Sequence, residues 1–222
     1  MTSHAADTTA TPSRSAFALL LAAVFLAGAA SLVYEVVWIR QLGMSLGSTA
    51  IASSVMLSSF LAGLALGSWI SGRRADAAAS PLRSLVRIEL FAALLGALSV
   101  PVLEFAGRAY VYLAITTAAG PTVSLGLRAL FSIIVILVPA TLFGMTFPLA
   151  TAAAARLAEV EKAGGWISAA SSFGSAAGAL LAGLMLEPLL GLTGSALAGA
   201  AINCSAAALA VAAAMAAARA AR

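Results

Sequence analysis

The chain has 222 residues, of which 62% are hydrophobic and only 9% are charged, and its mean hydropathy is +1.06. An ordinary globular domain is roughly 45–50% apolar and about 25% charged, so this composition excludes a soluble protein and predicts one that lies in a lipid bilayer. A single cysteine and a single histidine exclude an intrachain disulfide, a zinc site of cysteine and histidine, and a histidine-based catalytic triad. The net charge of +4 comes from basic residues scattered between apolar runs, which predict no contact with nucleic acid.

The chain starts with a polar stretch, residues 1–15, which predicts a disordered cytoplasmic tail. Six apolar segments follow, and each is long enough to cross a hydrocarbon core about 30 Å thick. These predicted spans comprise residues 16–38, 49–70, 85–103, 125–150, 165–186 and 193–214. Together they form a membrane domain over residues 16–218, and a basic cytoplasmic end follows at residues 219–222. The predicted fold class is therefore an all-α integral membrane bundle of six helices.

Two segments depart from a plain series of spans. Residues 109–119 are apolar but too short to cross, and Gly120-Pro121 stops them, which predicts a short interfacial or re-entrant helix. Pro139 and Pro148 lie inside the fourth span. They predict a kink there, and the backbone groups that they leave unpaired need partners on neighbouring helices.

The basic residues predict the orientation of the chain. With a cytoplasmic N-terminus, the inner segments hold Arg14, Arg73, Arg74, Arg83, Arg87, Arg156, Lys162, Arg219 and Arg222, and the outer segments hold Arg40, Arg108 and Arg128. This asymmetry follows the positive-inside rule and indicates an even number of crossings in a bacterial-type inner membrane, with both termini cytoplasmic. An alternative stays open, in which the first apolar segment is a cleavable signal peptide and five spans remain.

Two acidic residues lie within the spans, where charge is costly and commonly serves a function. Glu35 lies near the outer end of the first span, one turn before Trp38, which we expect to anchor that end in the interface; Arg40 or Arg128 is within its reach. Glu89 lies near the inner end of the third span, close to Arg73, Arg74 and Arg87. Both acids could be structural ion pairs at helix ends, or Glu35 could handle a proton or cation in an outward cavity.

Small residues recur at the spacing that lets membrane helices approach closely. Gly63 and Gly67 form a G-x-x-x-G pattern in the second span, and Gly174 and Gly178 form another in the fifth. We interpret both as packing within the chain in preference to a dimer seam.

Cys204 lies in an alanine-rich stretch of the sixth span, where a free cysteine is typically a small buried hydrophobe.

Several runs, in this order along the chain, carry a family resemblance. They are SLVYEVVWIR at 31–40, GLALGS at 63–68, GRRAD at 72–76, PATLFGMTFPL at 139–149 and AASSFGSAAG at 169–178. Together they resemble the membrane region of the fused major-facilitator/spermidine-synthase-like proteins, over about residues 16 to 205. In that family, membrane helices usually precede a soluble aminopropyl transferase domain. No glycine-rich cofactor loop or acidic polyamine pocket is readable here, so the chain is expected not to be an enzyme and to use no cofactor.

The resemblance also implies which residues matter. It points to Tyr34, Glu35, Trp38 and Arg40 in the first span, and to the loop residues Gly72, Arg73, Arg74 and Asp76. That loop is similar to the glycine-and-basic loop that helps to gate the cytoplasmic side of major-facilitator transporters. Six spans resemble half of such a transporter, whose halves each contain two inverted three-helix repeats.

Two functions remain open from the sequence. The first is a non-catalytic membrane subunit or scaffold that anchors a separate membrane or soluble protein. The second is a half-size transporter of a polyamine or another small metabolite that acts as a homodimer or with another six-helix bundle. The sequence favours the subunit slightly, because no charged residue is clearly placed at the bilayer midplane, where transporters usually bind their substrate.

Overall fold

The computed structural model describes residues 14–46, 49–75, 79–116, 120–157 and 160–220. In these residues the fold is all-α. Its helices are α1 (Arg14–Leu46), α2 (Thr49–Ala75), α3 (Pro81–Thr116), α4 (Pro121–Ala154), α5 (Val160–Leu181) and α6 (Glu187–Ala220), with a π-helical turn (Ala182–Leu186) joining the last two. Most of the predicted tail lies outside the described residues.

Five helical segments of the described chain are long and apolar enough to cross a membrane: Arg14–Leu46, Ala50–Ala75, Pro81–Ala109, Leu125–Ala154 and Ala163–Ala220. The prediction of six separate segments is therefore wrong by this count. The last two predicted spans belong to one helical run of 58 residues, because the helix does not end at Leu186, where we predicted the end of the fifth span.

The long run accommodates Pro188 by a local change of helix type. Proline has no N–H to donate, and the π-helical turn precedes it, with the Glu187 amide donating to the Ala182 carbonyl. Three residues later, Gly191 has φ 66° and ψ −174°, a conformation that is essentially open to glycine alone. The break in helical geometry therefore falls at Gly191.

The two helices of this run, α5 and α6, both pack beside α1 but run in opposite directions. In α5, Gly174 faces Phe25 and Gly178 faces Ala29, so α5 runs parallel to α1. In α6, Gly199 contacts the Tyr34 ring, whereas residues closer to its end cluster with the start of α1. That cluster includes Ala210, Ala213, Ala16 and Leu20. The chain therefore reverses direction at Gly191.

The helix pairings repeat within the bundle. The major pairs are α2 with α4, α1 with α5, α1 with α6, α3 with α4, and α3 with α6. Exchanging the first three helices for the last three converts the α1–α5 pair into the α4–α2 pair, and the α1–α6 pair into the α4–α3 pair. The α3–α6 pair is converted into itself. The arrangement is thus that of two similar three-helix units.

Three predicted boundaries differ from the structure. The first helix continues past Trp38 to Leu46. The predicted short helix at 109–119 is wrong as a separate element, because α3 runs unbroken to Thr116, through Pro101. Residues 71–75 of the predicted basic loop are the last turns of α2. At none of these three boundaries does the sequence contain a residue that ends the helix. Proline is the strongest helix breaker, but Pro101 is tolerated inside α3 because neighbouring helices can satisfy the freed backbone groups.

The prolines of α4 illustrate how the bundle replaces a missing bond. Pro139 and Pro148 lie inside a helix that continues from Pro121 to Ala154. Pro148 cannot donate to the carbonyl four residues earlier, that of Gly144. The Ser68 hydroxyl of α2 donates to that carbonyl at 2.9 Å. The expected partner on a neighbouring helix is therefore present.

Candidate functional site

A buried aromatic cluster fixes the middle of α1. The Tyr34 ring stacks on Trp38 at 5.8 Å between centroids and on Phe143 at 5.6 Å. Trp38 is fully buried and donates from Nε1 to the Ser99 hydroxyl of α3 at 2.8 Å. The predicted role of Trp38 as an interfacial anchor is wrong, because α1 extends two turns beyond it and its indole nitrogen has a protein partner.

Two glycines make room for the Tyr34 side chain. A Cβ added at Gly96 of α3 would overlap the tyrosine ring, and one at Gly199 of α6 would lie 3.0 Å from its Cζ atom. Tyr34 is fully buried, and its hydroxyl has no hydrogen-bond partner among the described residues. The phenol thus brings one unsatisfied polar atom into the space between α1, α3 and α6.

A second polar group lies between α3, α4 and α6, where Glu89 is 1% exposed. Its Oε1 atom accepts a hydrogen bond from the Thr146 hydroxyl at 3.0 Å, and its Oε2 atom accepts one from Asn203 Nδ2 at 2.5 Å. In the described part of the chain, no cationic side chain pairs with this carboxyl. The expected pairing with Arg73, Arg74 or Arg87 is therefore wrong: Glu89 points into the bundle, and these arginines are exposed.

A cavity of about 230 Å³ lies between α1, α2, α4 and α5. Its polar lining consists of hydroxyl groups and backbone, and no charged side chain contributes to it within the described chain. The polar side chains are Ser31, Ser68, Thr146, Ser171 and Ser175. Phe60 and Phe143, which also line the cavity, belong to the aromatic cluster. We call these surfaces of α1, α2, α4 and α5 the cavity face.

Thr146 joins the cavity to the buried acid. Its side chain lines the cavity, and the same hydroxyl donates to Glu89. A ligand in the cavity would therefore contact the Thr146 hydroxyl, which is hydrogen-bonded to the Glu89 carboxyl. That carboxyl is otherwise closed to solvent. The cavity can therefore bind a small polar ligand, and that binding can depend on whether Glu89 is protonated.

Glu35 and Arg40 lie apart from this cluster. Glu35 is half-buried, on the same face of α1 as the cavity residue Ser31, and makes no ion pair in the described chain. Its expected partner Arg40 instead pairs with Glu187 at 2.5 Å. The other expected partner, Arg128, donates to the carbonyl of Ser45 at 2.7 Å. The predicted ion pair at the outer end of α1 therefore exists with a different acid.

The predicted gating residues lie at the other end of the bundle. Arg73 and Arg74 are exposed, and the Arg73 guanidinium lies 4.7 Å from the centroid of the Trp69 ring. Nothing lies within 4 Å of a Cβ added at Gly72. Asp76 lies outside the described residues, so its role in this loop stays a prediction.

The four glycines predicted to pack helices all lie at helix contacts within the chain. A Cβ on Gly63 or Gly67 would meet α4, at Ala140 and Thr141, and one on Gly174 or Gly178 would meet α1. The two G-x-x-x-G patterns therefore occupy the equivalent pairs α2–α4 and α1–α5.

Sequence reasoning missed two partners of Glu89 and misplaced one residue. Neither Thr146 nor Asn203 is predicted from the sequence as a partner of Glu89. The available signals were a hydroxyl and an amide within apolar segments. Cys204, predicted to be buried, is exposed on α6.

No protein-family model, curated protein or solved structure matches the chain. The fold itself defines the class. The chain is a multi-pass helical membrane protein, with long apolar helices as its candidate spans.

Proposed function

We propose that the protein is a half-size transport unit, in which two copies pair through the cavity face and enclose a path for a small polar molecule. The observation that carries this proposal is the buried Glu89–Thr146–Asn203 group directly behind a hydroxyl-lined cavity. Ionisable groups inside a membrane protein are expensive and mark substrate or ion pathways. The buried carboxyl of Glu89 is an ionisable group inside the bundle, and it therefore favours the transport hypothesis over the subunit hypothesis.

Exposed hydroxyls on the cavity face support pairing of two copies. Ser168 and Ser172 of α5 lie three residues before the cavity residues Ser171 and Ser175, and both are exposed although they lie in an apolar helix. Lipid tails cannot hydrogen-bond with them, whereas a facing protein surface or enclosed water can. A two-fold pairing would place the same surface of each copy against the other.

The path of the chain also supports a transporter-like unit. We infer from the reversal at Gly191 that the 58-residue run crosses twice, so that the five apolar segments would make six crossings. The repeated helix pairings are those expected of two inverted three-helix repeats, as in half of a major-facilitator transporter. On this path, one side of the bundle carries Arg73 and Arg74 of α2, Arg83 and Arg87 at the start of α3, and Arg156 just after α4. We assign this side to the cytoplasm by the positive-inside rule.

The test is whether water reaches the cavity. In a protein with Cys204→Ala, a single Ser171→Cys substitution should react with a charged, membrane-impermeant thiol reagent. The control Leu180→Cys, at an exposed apolar site on the same helix, should not react. The protein in mild detergent should have a mass of about twice 22.0 kDa after the detergent contribution is subtracted. A monomer, or equal reactivity at both sites, contradicts the proposal.

One observation favours the second function, a membrane subunit that anchors a partner. Exposed arginines gather at the end of the bundle formed by the last turn of α2 and the first turns of α3: Arg73, Arg74, Arg83 and Arg87. Such a surface fits an acidic soluble protein. If this function is correct, replacing Arg73 and Arg74 by glutamine should release a co-purifying partner, while the two cysteine sites above react equally.

A further inference from the structure

We infer that the cavity binds a small organic ammonium ion, and that Glu89 releases a proton when the ion binds. This inference rests on the proposed function, because it names the ligand class of the same cavity. It depends on the direction of the hydrogen bonds that Ser31, Ser68, Ser175 and Thr146 make in the cavity wall. A hydroxyl has one proton to donate and two lone pairs that accept, so a hydroxyl whose proton is already engaged can only accept from a ligand.

Three of the four serines of the wall have their protons engaged. Ser31 donates to the Gly28 carbonyl at 2.8 Å, and Ser175 donates to the same carbonyl at 3.3 Å. Ser68 donates to the Gly144 carbonyl at 2.9 Å. These hydroxyls therefore offer lone pairs to the cavity. With no cationic side chain in the described lining, the wall suits a ligand that donates hydrogen bonds and carries positive charge.

Thr146 makes the wall depend on the state of Glu89. Asn203 Nδ2 can only donate, and it is bonded to Oε2 of the carboxyl. A proton on Glu89 therefore belongs on Oε1, the atom bonded to Thr146. With Glu89 ionised, the Thr146 hydroxyl donates to Oε1 and turns a lone pair to the cavity. With Glu89 protonated, Oε1–H donates to Thr146, and the threonine proton is free to point into the cavity.

The ionised state is thus the one that matches an ammonium group. Binding exchanges one cation for one proton, since the ammonium ion enters, Oε1–H loses its proton to water, and the total charge of the site is conserved. The helices around Glu89 bring few other titratable groups to it. Tyr34 of α1 is within electrostatic reach, Cys204 is exposed on α6, and α4 contributes the neutral Thr146.

The volume limits the size of the ion. A cavity of about 230 Å³ exceeds the roughly 150 Å³ cavity that holds benzene in another protein, so an alkylammonium of about five heavy atoms fits. n-Butylammonium and tetramethylammonium have the same charge and the same heavy-atom composition, but only the first has N–H donors. They form a matched pair of probes for a wall of acceptors.

The test is calorimetric titration of the full chain in lipid nanodiscs, with empty nanodiscs as the blank. Titration in two buffers of different ionisation enthalpy, over a pH series, counts the protons released. We expect n-butylammonium to bind at least about tenfold more tightly than tetramethylammonium, since one hydrogen bond to a charged group is worth about a factor of ten or more. We also expect release approaching one proton per ion at the acidic end of the series.

Three variants locate the effect. Glu89→Gln should abolish proton release, and Thr146→Val should weaken n-butylammonium binding about tenfold. Glu104→Gln removes an exposed carboxyl from the same helix and should change neither quantity. If Glu89→Gln does not fold, Thr146→Val and the two probes on the unaltered protein still decide the question.

Equal binding of the two probes, absence of proton release at every pH, or release that persists in Glu89→Gln would overturn the inference. These outcomes differ from failure of the proposed function. A dimer with a water-accessible cavity that ignores ammonium ions removes the ligand class only, whereas a monomer with a water-inaccessible cavity removes the transport unit itself.

Discussion

The contact between α2 and α4 leads to a prediction at Gly67. A Cβ added there would overlap the Thr141 carbonyl oxygen and lie 2.9 Å from the Met145 backbone nitrogen. These are backbone atoms of a neighbouring helix, so no side chain can rotate to relieve the overlap. Gly67→Ala should therefore force the two helices apart at a cost of about 1–3 kcal/mol, which is typical of overpacking.

A second glycine on the same helix provides the control. Nothing lies within 4 Å of a Cβ added at Gly72, so Gly72→Ala should only gain helix propensity, up to about 1 kcal/mol. The same gain applies at Gly67, so the difference between the two variants isolates the overpacking cost. It corresponds to a factor of about 5–150 in the unfolding equilibrium.

The assay is reversible unfolding of both variants in mixed micelles with increasing denaturing detergent. We expect Gly67→Ala to unfold at a lower detergent fraction than the unaltered protein, and Gly72→Ala at an equal or higher one. If both variants unfold at the same fraction, the close approach of α2 and α4 at Gly67 is refuted.

Two further predictions use the same unfolding assay. Ser68→Ala should cost about 0.6–2 kcal/mol, and less in a Pro148→Ala background, because the alanine amide can then donate to the Gly144 carbonyl; an equal cost in both backgrounds contradicts this. Arg40→Gln should destabilise by about 1.5–3 kcal/mol, because the Glu187 side chain is only 4% exposed and loses its partner. Adding Glu187→Gln should recover most of that loss, and a larger loss in the double variant would argue against the pair.

The sequence was sufficient to predict where the apolar helices lie, since span length and polarity are local properties. It was less informative about where each helix ends. Pro101 lies inside α3, and Pro188, which follows the predicted end of the fifth span, is accommodated inside a helix through a preceding π-helical turn. The reversal at Gly191 depends on one backbone conformation that residue identity permits and does not require.

The candidate site was predictable only in part. Glu89 was recognisable because a charge in an apolar segment is costly, but its partners are 57 and 114 residues away in the chain. Which of the several polar residues reach Glu89 depends on helix packing. Trp38 was singled out by resemblance and misinterpreted, because its burial depends on α1 extending beyond it.

The most direct test of the paired-bundle account is disulfide cross-linking in native membranes. In the Cys204→Ala background, a single cysteine in place of the exposed Ser172 on α5 should form a cross-linked dimer on mild oxidation. A single cysteine in place of Leu94, which is exposed on α3 away from the cavity, should leave the chain monomeric. A dimer through α3, with none through α5, would contradict the claim that two copies enclose the cavity.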